Sequence, residues 1–223
     1  MIWKELILMA RSKKYNAFCV GGIDVNSRKW VRPVSGDSDV KGSIKEEHMR
    51  TVDGRVCQVL DRVRIPFIEK ANHSFQTENW LVDPTKRWEW VEKVSLSSLM
   101  PRLKAFPRGP LFFNTGRLVS ASQLKGIPER SRYSLALVKP PELRIKTFTN
   151  SWGKPKCRGD FSFRETEYKD ISITDMEFRK KHPGVGEHIL KNPVLVLSLG
   201  EEYPDNDPGF GNHYKLIASI LEN

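Results

Sequence analysis

In the run WVRPV (30–34), Trp30 and Arg32 stand two residues apart. On an extended chain this spacing puts an aromatic ring and a guanidinium on one side, because strand side chains alternate. Such a platform can stack a planar ring while holding an anion. The competing arrangement buries Trp30 in a core and pairs Arg32 with an acid such as Asp24. A second cluster lies at Asn150-Ser151-Trp152-Gly153-Lys154-Pro155-Lys156, flanked by Lys146, Phe148 and Arg158. A turn of Asn, Ser, Gly and Pro does not readily enclose an indole, so Trp152 is expected to be exposed beside Lys154 and Lys156. In Leu111–Arg117 (LFFNTGR), Asn114 and Gly116 imply a tight turn that presents Arg117. Residues 11–32 carry Arg11, Lys13, Lys14, Arg28, Lys29 and Arg32 against the single acid Asp24. Residues 139–158 carry Lys139, Arg144, Lys146, Lys154, Lys156 and Arg158 against Glu142. Cations interleaved with aromatics suit a groove that tracks a sugar-phosphate chain, charge holding the backbone and rings the bases. The candidate nucleic-acid-binding residues are therefore Trp30, Arg32, Arg117, Lys146, Phe148, Trp152, Lys154, Lys156 and Arg158.

Other chemistries find less support. The sequence has no phosphate-binding G-x-x-x-x-G-K-[ST], no G-x-S-x-G nucleophile turn and no H-E-x-x-H zinc helix. Asp160 with Glu167-Tyr168-Lys169 could imitate the acid, acid and lysine of a metal-dependent nuclease. Acid-x-Lys triplets also occur at Asp39-Val40-Lys41, however, and so stand at their chance frequency. Cys19, Cys57 and Cys157 form no C-x-x-C pair, and His48, His73, His182, His188 and His213 show no helical metal spacing. These features predict a protein that is not an enzyme, with free thiols, no structural metal and no cofactor.

The elements that must position the candidate residues are mostly strands. The chain has 223 residues, 39% of them hydrophobic, its first ten read as a strand rather than a signal peptide, and no apolar run comes near the roughly 20 residues a spanning helix needs. A cytoplasmic protein without a membrane partner is the expectation. The net charge of +10 makes a polyanion the natural partner. Period-two alternation predicts strands over Lys4–Arg11, Tyr15–Asp24, Trp30–Val34, Gln58–Ile68, Ser134–Val138, Leu143–Thr149, Asp160–Glu167, Pro193–Leu199 and Tyr214–Ile220. Ile44–Arg50 and Ser95–Leu103 read as short helices. Trp80, Trp88 and Trp90 sit close together and are better suited to packing a small core than to holding a ligand. Pro101–Pro110 has the composition of a connector. The acidic run Gly200–Asn212 predicts an exposed loop that faces away from nucleic acid.

About five strand candidates in each half suit a pair of small Greek-key barrels. The order CVGGID, WVRPV, FQTENWLVD, SLALVKPPELRI, DISITDMEF, PVLVLSLGEEY and HYKLIAS resembles the bacterial dual OB-containing domain family across nearly the whole chain. That resemblance implies two tandem OB-like barrels, no catalytic residues and recognition of nucleic acid, often in prokaryotic defence or conflict. It brings no residue-level site with it. The sequence thus predicts a mainly β protein with few short helices. Its two five-stranded OB-like Greek-key barrels would span residues 1–107 and 108–223, with DNA or RNA in a positive groove on or between them. A partner protein from the same operon is a further expectation. The rivals are a nuclease at Asp160, Glu167 and Lys169, and a nucleotide-sensing or protein-interaction module with an enclosed pocket.

Overall fold

Alternating apolar and polar residues carry most of the chain into strands. A computed structural model describes residues 1–14, 16–103, 107, 109–203 and 211–222. Contacts divide the chain into two units, Met1–Ala105 and Phe106–Glu222. The expected connector Pro101–Pro110 straddles that division, and its residues 104–106 and 108 lie outside the described residues, as does Tyr15, the expected start of the second strand.

The first unit contains β1 (Ile2–Lys14), β2 (Ala17–Asp24), β3 (Trp30–Val34), β4 (Asp61–Lys70), β5 (Asn79–Val82) and β6 (Glu89–Lys93). β1 is long enough to serve two partners. Its first half pairs antiparallel with β4, from Ile2 opposite Phe67 to Ile7 opposite Arg62, and its second half pairs with β2 as far as Lys14 opposite Ala17. β3 pairs with β2 and runs parallel to β5, which returns to β4. The ring therefore closes in the order β1-β2-β3-β5-β4-β1, with β6 added along β4. This is a closed five-stranded Greek-key barrel. A bulge between Leu8 and Ala10 lets Leu8, Met9 and Ala10 all be buried, and it adds the twist that closure needs. β1 and β2 cross so tightly at Gly22 that a Cβ there would lie 2.8 Å from the Ile7 carbonyl oxygen.

The second unit contains β7 (Leu118–Ser120), β8 (Leu135–Val138), β9 (Glu142–Thr149), β10 (Pro155–Phe163), β11 (Thr166–Ile173), β12 (Gly186–Lys191), β13 (Val194–Glu202) and β14 (Asn212–Leu221). β9, β10 and β11 form an antiparallel meander, β11 runs parallel to β14, and β14 pairs with β13. Pro140-Pro141 separates β8 from β9, and Pro193 separates β12 from β13, because proline has no N–H for the ladder. The register ignores both breaks. Leu135 faces Ser198, Val138 faces Leu195, Glu142 faces Lys191 and Thr147 faces Gly186, while the Asn192 N–H donates to the Pro141 carbonyl at 2.8 Å across the joint. With β8–β9 and β12–β13 counted as one broken strand each, the ring closes in the same order as in the first unit. β7 lies outside the ring on β14.

Several local expectations change. Ile44–Arg50 is not an α-helix but contains a 3-10 turn at Glu46–Met49. Ser95–Leu103 becomes α1 (Leu96–Leu99), capped by Ser95, followed by a 3-10 turn at Met100–Arg102. The strand expected over Asp160–Glu167 is really the end of β10, a two-residue turn at Arg164-Glu165 and the start of β11. Arg164 takes a φ of 56°, so the turn lacks the Gly or Asn that would have announced it. Two helices were missed, α2 (Ala121–Lys125) and α3 (Met176–Lys181). The buried Asp175 caps α3 by accepting the Phe178 N–H at 3.0 Å, and its other oxygen accepts the Ile220 N–H of β14 at 2.7 Å. Trp88 is fully buried, whereas Trp80 and Trp90 lie half-buried on β5 and β6, which the sequence did not mark as strands. Of the acidic Gly200–Asn212 loop, residues 204–210 lie outside the described residues.

Lys215 on β14 is 2% exposed. Its ammonium donates to the Asn114 carbonyl at 2.6 Å and lies 5.0 Å from the centre of the Tyr168 ring. Burial alone pushes it down from 10.5 to about 7. The contact anchors a strained strap, in which Phe112 and Phe113 have φ of 51° and 74°. The Tyr168 and Tyr133 hydroxyls accept the Leu111 and Phe112 N–H groups at 2.8 and 3.0 Å.

Two predictions follow from this packing. Gly22→Ala should destabilise the first barrel by about 1–3 kcal/mol in urea unfolding, because backbone has to move. Between pH 7 and 10.5 the unfolded chain binds more protons at Lys215 than the native one, so this residue makes stability rise with pH. Burial holds the Cys157 and Cys57 thiols up at about 11 and about 12, and these groups oppose the trend above pH 9. Unfolding free energy should therefore increase from pH 7 to 9 by on the order of 2 kcal/mol, and Lys215→Met should flatten that rise.

Candidate nucleic-acid interface

Burial alternates strictly along β9 and β10. Leu143, Ile145, Thr147, Cys157, Gly159 and Phe161 point into the barrel, while Arg144, Lys146, Phe148, Lys156, Arg158 and Asp160 occupy the outer face. The register sets Phe148 opposite Lys156, Lys146 opposite Arg158 and Arg144 opposite Asp160. Ser172 of β11 completes the row of Arg158, and their side chains are hydrogen bonded. Like charges directly opposite one another weaken a sheet. Lys146 thus faces a like charge in Arg158 on one side and an opposite charge in Glu187 of β12 on the other. Lys146, Lys154 and Lys156 form no ion pair among the described residues. At the far end of the face the charges are satisfied internally, since Glu142 accepts from Arg144 at 2.6 Å and pairs with Lys191. These two cations hold the Glu142 carboxyl below its usual range.

The turn joining β9 to β10 explains why Trp152 stands out. The Asn150 side-chain oxygen accepts the Trp152 and Lys154 N–H groups at 3.2 and 2.8 Å, and Gly153 supplies a φ of +70°. The Asn150 side chain thus closes the turn from within, and residues 151–154 are all exposed. The indole is 80% exposed. It stands at the end of the face where Phe148, Lys154 and Lys156 lie.

Arg117, just ahead of β7, reaches the same face, because it pairs with Asp170, which also lies 3.6 Å from Arg158. Arg117, Lys146, Phe148, Trp152, Lys154, Lys156 and Arg158 are therefore assembled within one unit. Trp30 and Arg32 belong to the other. Arg32 is 6% exposed and its guanidinium lies 3.6 Å from the Glu78 carboxylate, an internal pair. The platform expected at WVRPV does not form, because β3 is covered on both sides and Arg32 points to Glu78. Asp24, the partner considered for Arg32, instead pairs with Lys4 at 3.3 Å. Trp30 is half-buried, with its indole N–H enclosed.

A family profile for the dual OB-containing domain matches residues 4–220. The chain belongs to the dual OB-containing domain family. No curated protein and no solved structure matches it. In OB barrels generally, the outer face of the second and third strands and the loop joining the first to the second receive oligomeric ligands. In the second barrel of this dual OB-containing chain these are β10, β11 and the Asn150–Lys154 turn. Of the nuclease rival's residues, Glu167 pairs with Lys169 at 3.0 Å and Asp160 accepts the Asp170 N–H at 2.7 Å. Among the described residues no three His, Cys, Asp or Glu are grouped to hold a metal ion, and no helix is long and apolar enough to cross a membrane. A cleft of about 340 Å³ lined by Gly109, Pro110, Phe163, Arg164, Glu165, Thr166 and Tyr168 lies at the opposite end of β10 from Trp152. It is not part of the basic face.

Sequence reasoning missed Asp170. Strand alternation from Tyr168 would send it inward, and nothing in its neighbours signals otherwise. Because the Trp152 ring makes no core contact, Trp152→Ala should leave thermal stability within about 0.5 kcal/mol of wild type. Its fluorescence should be quenched by iodide far more readily than that of the buried Trp88.

Proposed function

We propose that the chain binds nucleic acid on the outer face of β9, β10 and β11, without cleaving it. One observation carries this reading: Lys146, Lys156 and Arg158 share a face with Phe148, beneath a turn that projects Trp152 and Lys154. Charge at alternate strand positions, roughly 6.8 Å apart, offers a ladder for a phosphate chain. The exposed ring of Trp152 and the half-buried ring of Phe148 beside it offer stacking surfaces for bases. A neutral oligosaccharide, the other common ligand of such barrels, would draw nothing from the unpaired lysines. Single-stranded nucleic acid is favoured over duplex, since stacking on Trp152 and Phe148 needs bases that are not already stacked. The free thiols Cys19, Cys57 and Cys157 fit a reducing, cytoplasmic setting. A defence role with an operon partner is supported only by the sequence resemblance.

Fluorescence anisotropy with short labelled single-stranded DNA and RNA tests the reading. Three lysines meeting three phosphates should give a log-log salt slope of about −2 or steeper. Trp152→Ala should weaken binding about 5- to 150-fold, the worth of one stacked base. The oligonucleotide should stay intact with Mg²⁺ present. A slope near zero would end the proposal, and Mg²⁺-dependent cleavage lost in Glu167→Ala would replace it with the nuclease.

A further inference from the structure

Arg117 and Arg158 come from distant parts of the chain and meet at one carboxylate. Arg117 pairs with Asp170, Arg158 Nε lies 3.6 Å from Asp170 Oδ1, and Arg158 Nη1 donates to the Asp170 carbonyl at 3.5 Å. All three side chains are partly open to solvent, at 40%, 23% and 50% for Arg117, Arg158 and Asp170. Asp170 reaches this position through a bulge. Gly159 faces Ile171 and Phe161 faces Tyr168, so Lys169 and Asp170 together oppose Asp160 alone. The extra residue interrupts alternation: Tyr168 and Ile171 both remain buried, and Asp170 turns outward instead of into the barrel. The cost is a φ of 55°, secured by the Asp170 N–H donating to Asp160 at 2.7 Å.

We propose that Asp170 is a built-in occupant of a phosphate site, a carboxylate that holds Arg117 and Arg158 in the absence of ligand and limits how many phosphates the face engages. A pair of guanidiniums converging from two elements is a geometry suited to a tetrahedral oxyanion. Here a bulge supplies the anion from within. The surrounding charges agree with this assignment. Lys146 stands between Arg158 on one side and Glu187 of β12 on the other, and among the described residues the carboxylate within ion-pair reach of both arginines is that of Asp170. Neutralising Asp170 therefore exposes two cations beside three that are already unpaired. This inference rests on the binding face proposed above and sets its strength and salt dependence.

Asp170→Asn is the informative change. Asn tolerates a positive φ, keeps the side-chain acceptor and removes only the charge. Asp170→Gly is the second variant, relieving the backbone and deleting the side chain. Both should bind single-stranded oligonucleotide about 3- to 10-fold more tightly than wild type at low salt, as expected when exposed ion pairs no longer compete. Their log-log salt slope should steepen by about 1.4, the equivalent of two further phosphates. Weaker or unchanged binding in both variants would overturn the proposal, making Asp170 a positioning residue. A second readout does not depend on nucleic acid. Titration with pyrophosphate, followed through the arginine Nε–Hε resonances, should shift Arg117 and Arg158 together in the variants at concentrations that leave wild type unchanged. Equal response of wild type and variants would also overturn it. If neither protein bound oligonucleotide, the binding face would be wrong, while the pyrophosphate titration would still decide the role of Asp170.

Discussion

The antiparallel ladder between β8–β9 and β12–β13 closes the second barrel across two proline breaks, and the candidate face depends on its register. Side chains on a strand alternate, so a slip of one residue in β9 would send Lys146 and Phe148 inward and expose Ile145 and Thr147. Burial of Leu143, Ile145, Phe161 and Ile173 excludes that slip. The cations therefore appear outside because the apolar residues between them must be inside. The same logic in the first unit lets one long strand, β1, serve two neighbours, but there the outer surface carries no comparable assembly of the predicted residues.

Buried and surface cations are handled in contrasting ways. Arg32 is drawn inside and balanced by Glu78, and Lys215 is buried against a carbonyl and an aromatic ring, where desolvation favours its neutral form. On the outer face of β9–β11 and the turn above it, Arg117 and Arg158 share one carboxylate, and Lys146, Lys154 and Lys156 form no ion pair among the described residues. A net charge of +10 says nothing about this distribution. Binding capacity depends on which cations remain unpaired, and pairing is settled by register, bulges and the strap ahead of β7.

Three departures from regular structure lie in the unit that carries the candidate face. Phe112 and Phe113 occupy left-handed backbone, Asp170 sits in a bulge at positive φ, and Lys146 opposes a like charge. Each is locally unfavourable and is held by contacts elsewhere: the tyrosine hydroxyls, the Asp160 carboxylate, the pleated ladder. The first barrel has irregularities of its own: the Leu8–Ala10 bulge and the tight crossing at Gly22 serve closure, and Arg28, Lys41 and Leu60 take left-handed backbone.

Much was legible in the residues alone. Alternation located most strands and the β character, the order of motifs announced two OB-like barrels, and the composition of Asn150–Lys156 foretold an exposed Trp152, because turn chemistry and strand period are local properties. The sequence could also place Lys146, Phe148, Lys156 and Arg158 at even spacing. Other outcomes needed the folded chain. Arg32 looked like a surface cation until β5 brought Glu78 beside it, and the strand read over Asp160–Glu167 proved to be a hairpin because Arg164 accepts a left-handed conformation without a glycine. Asp170 was invisible for the same reason: a bulge is defined by the partner strand, and no single-strand pattern records how many residues lie opposite it. Residue type and period determined which side chains could carry charge or stack, whereas pairing between distant strands decided which of them meet, since those contacts join residues that only closure of the barrel brings together.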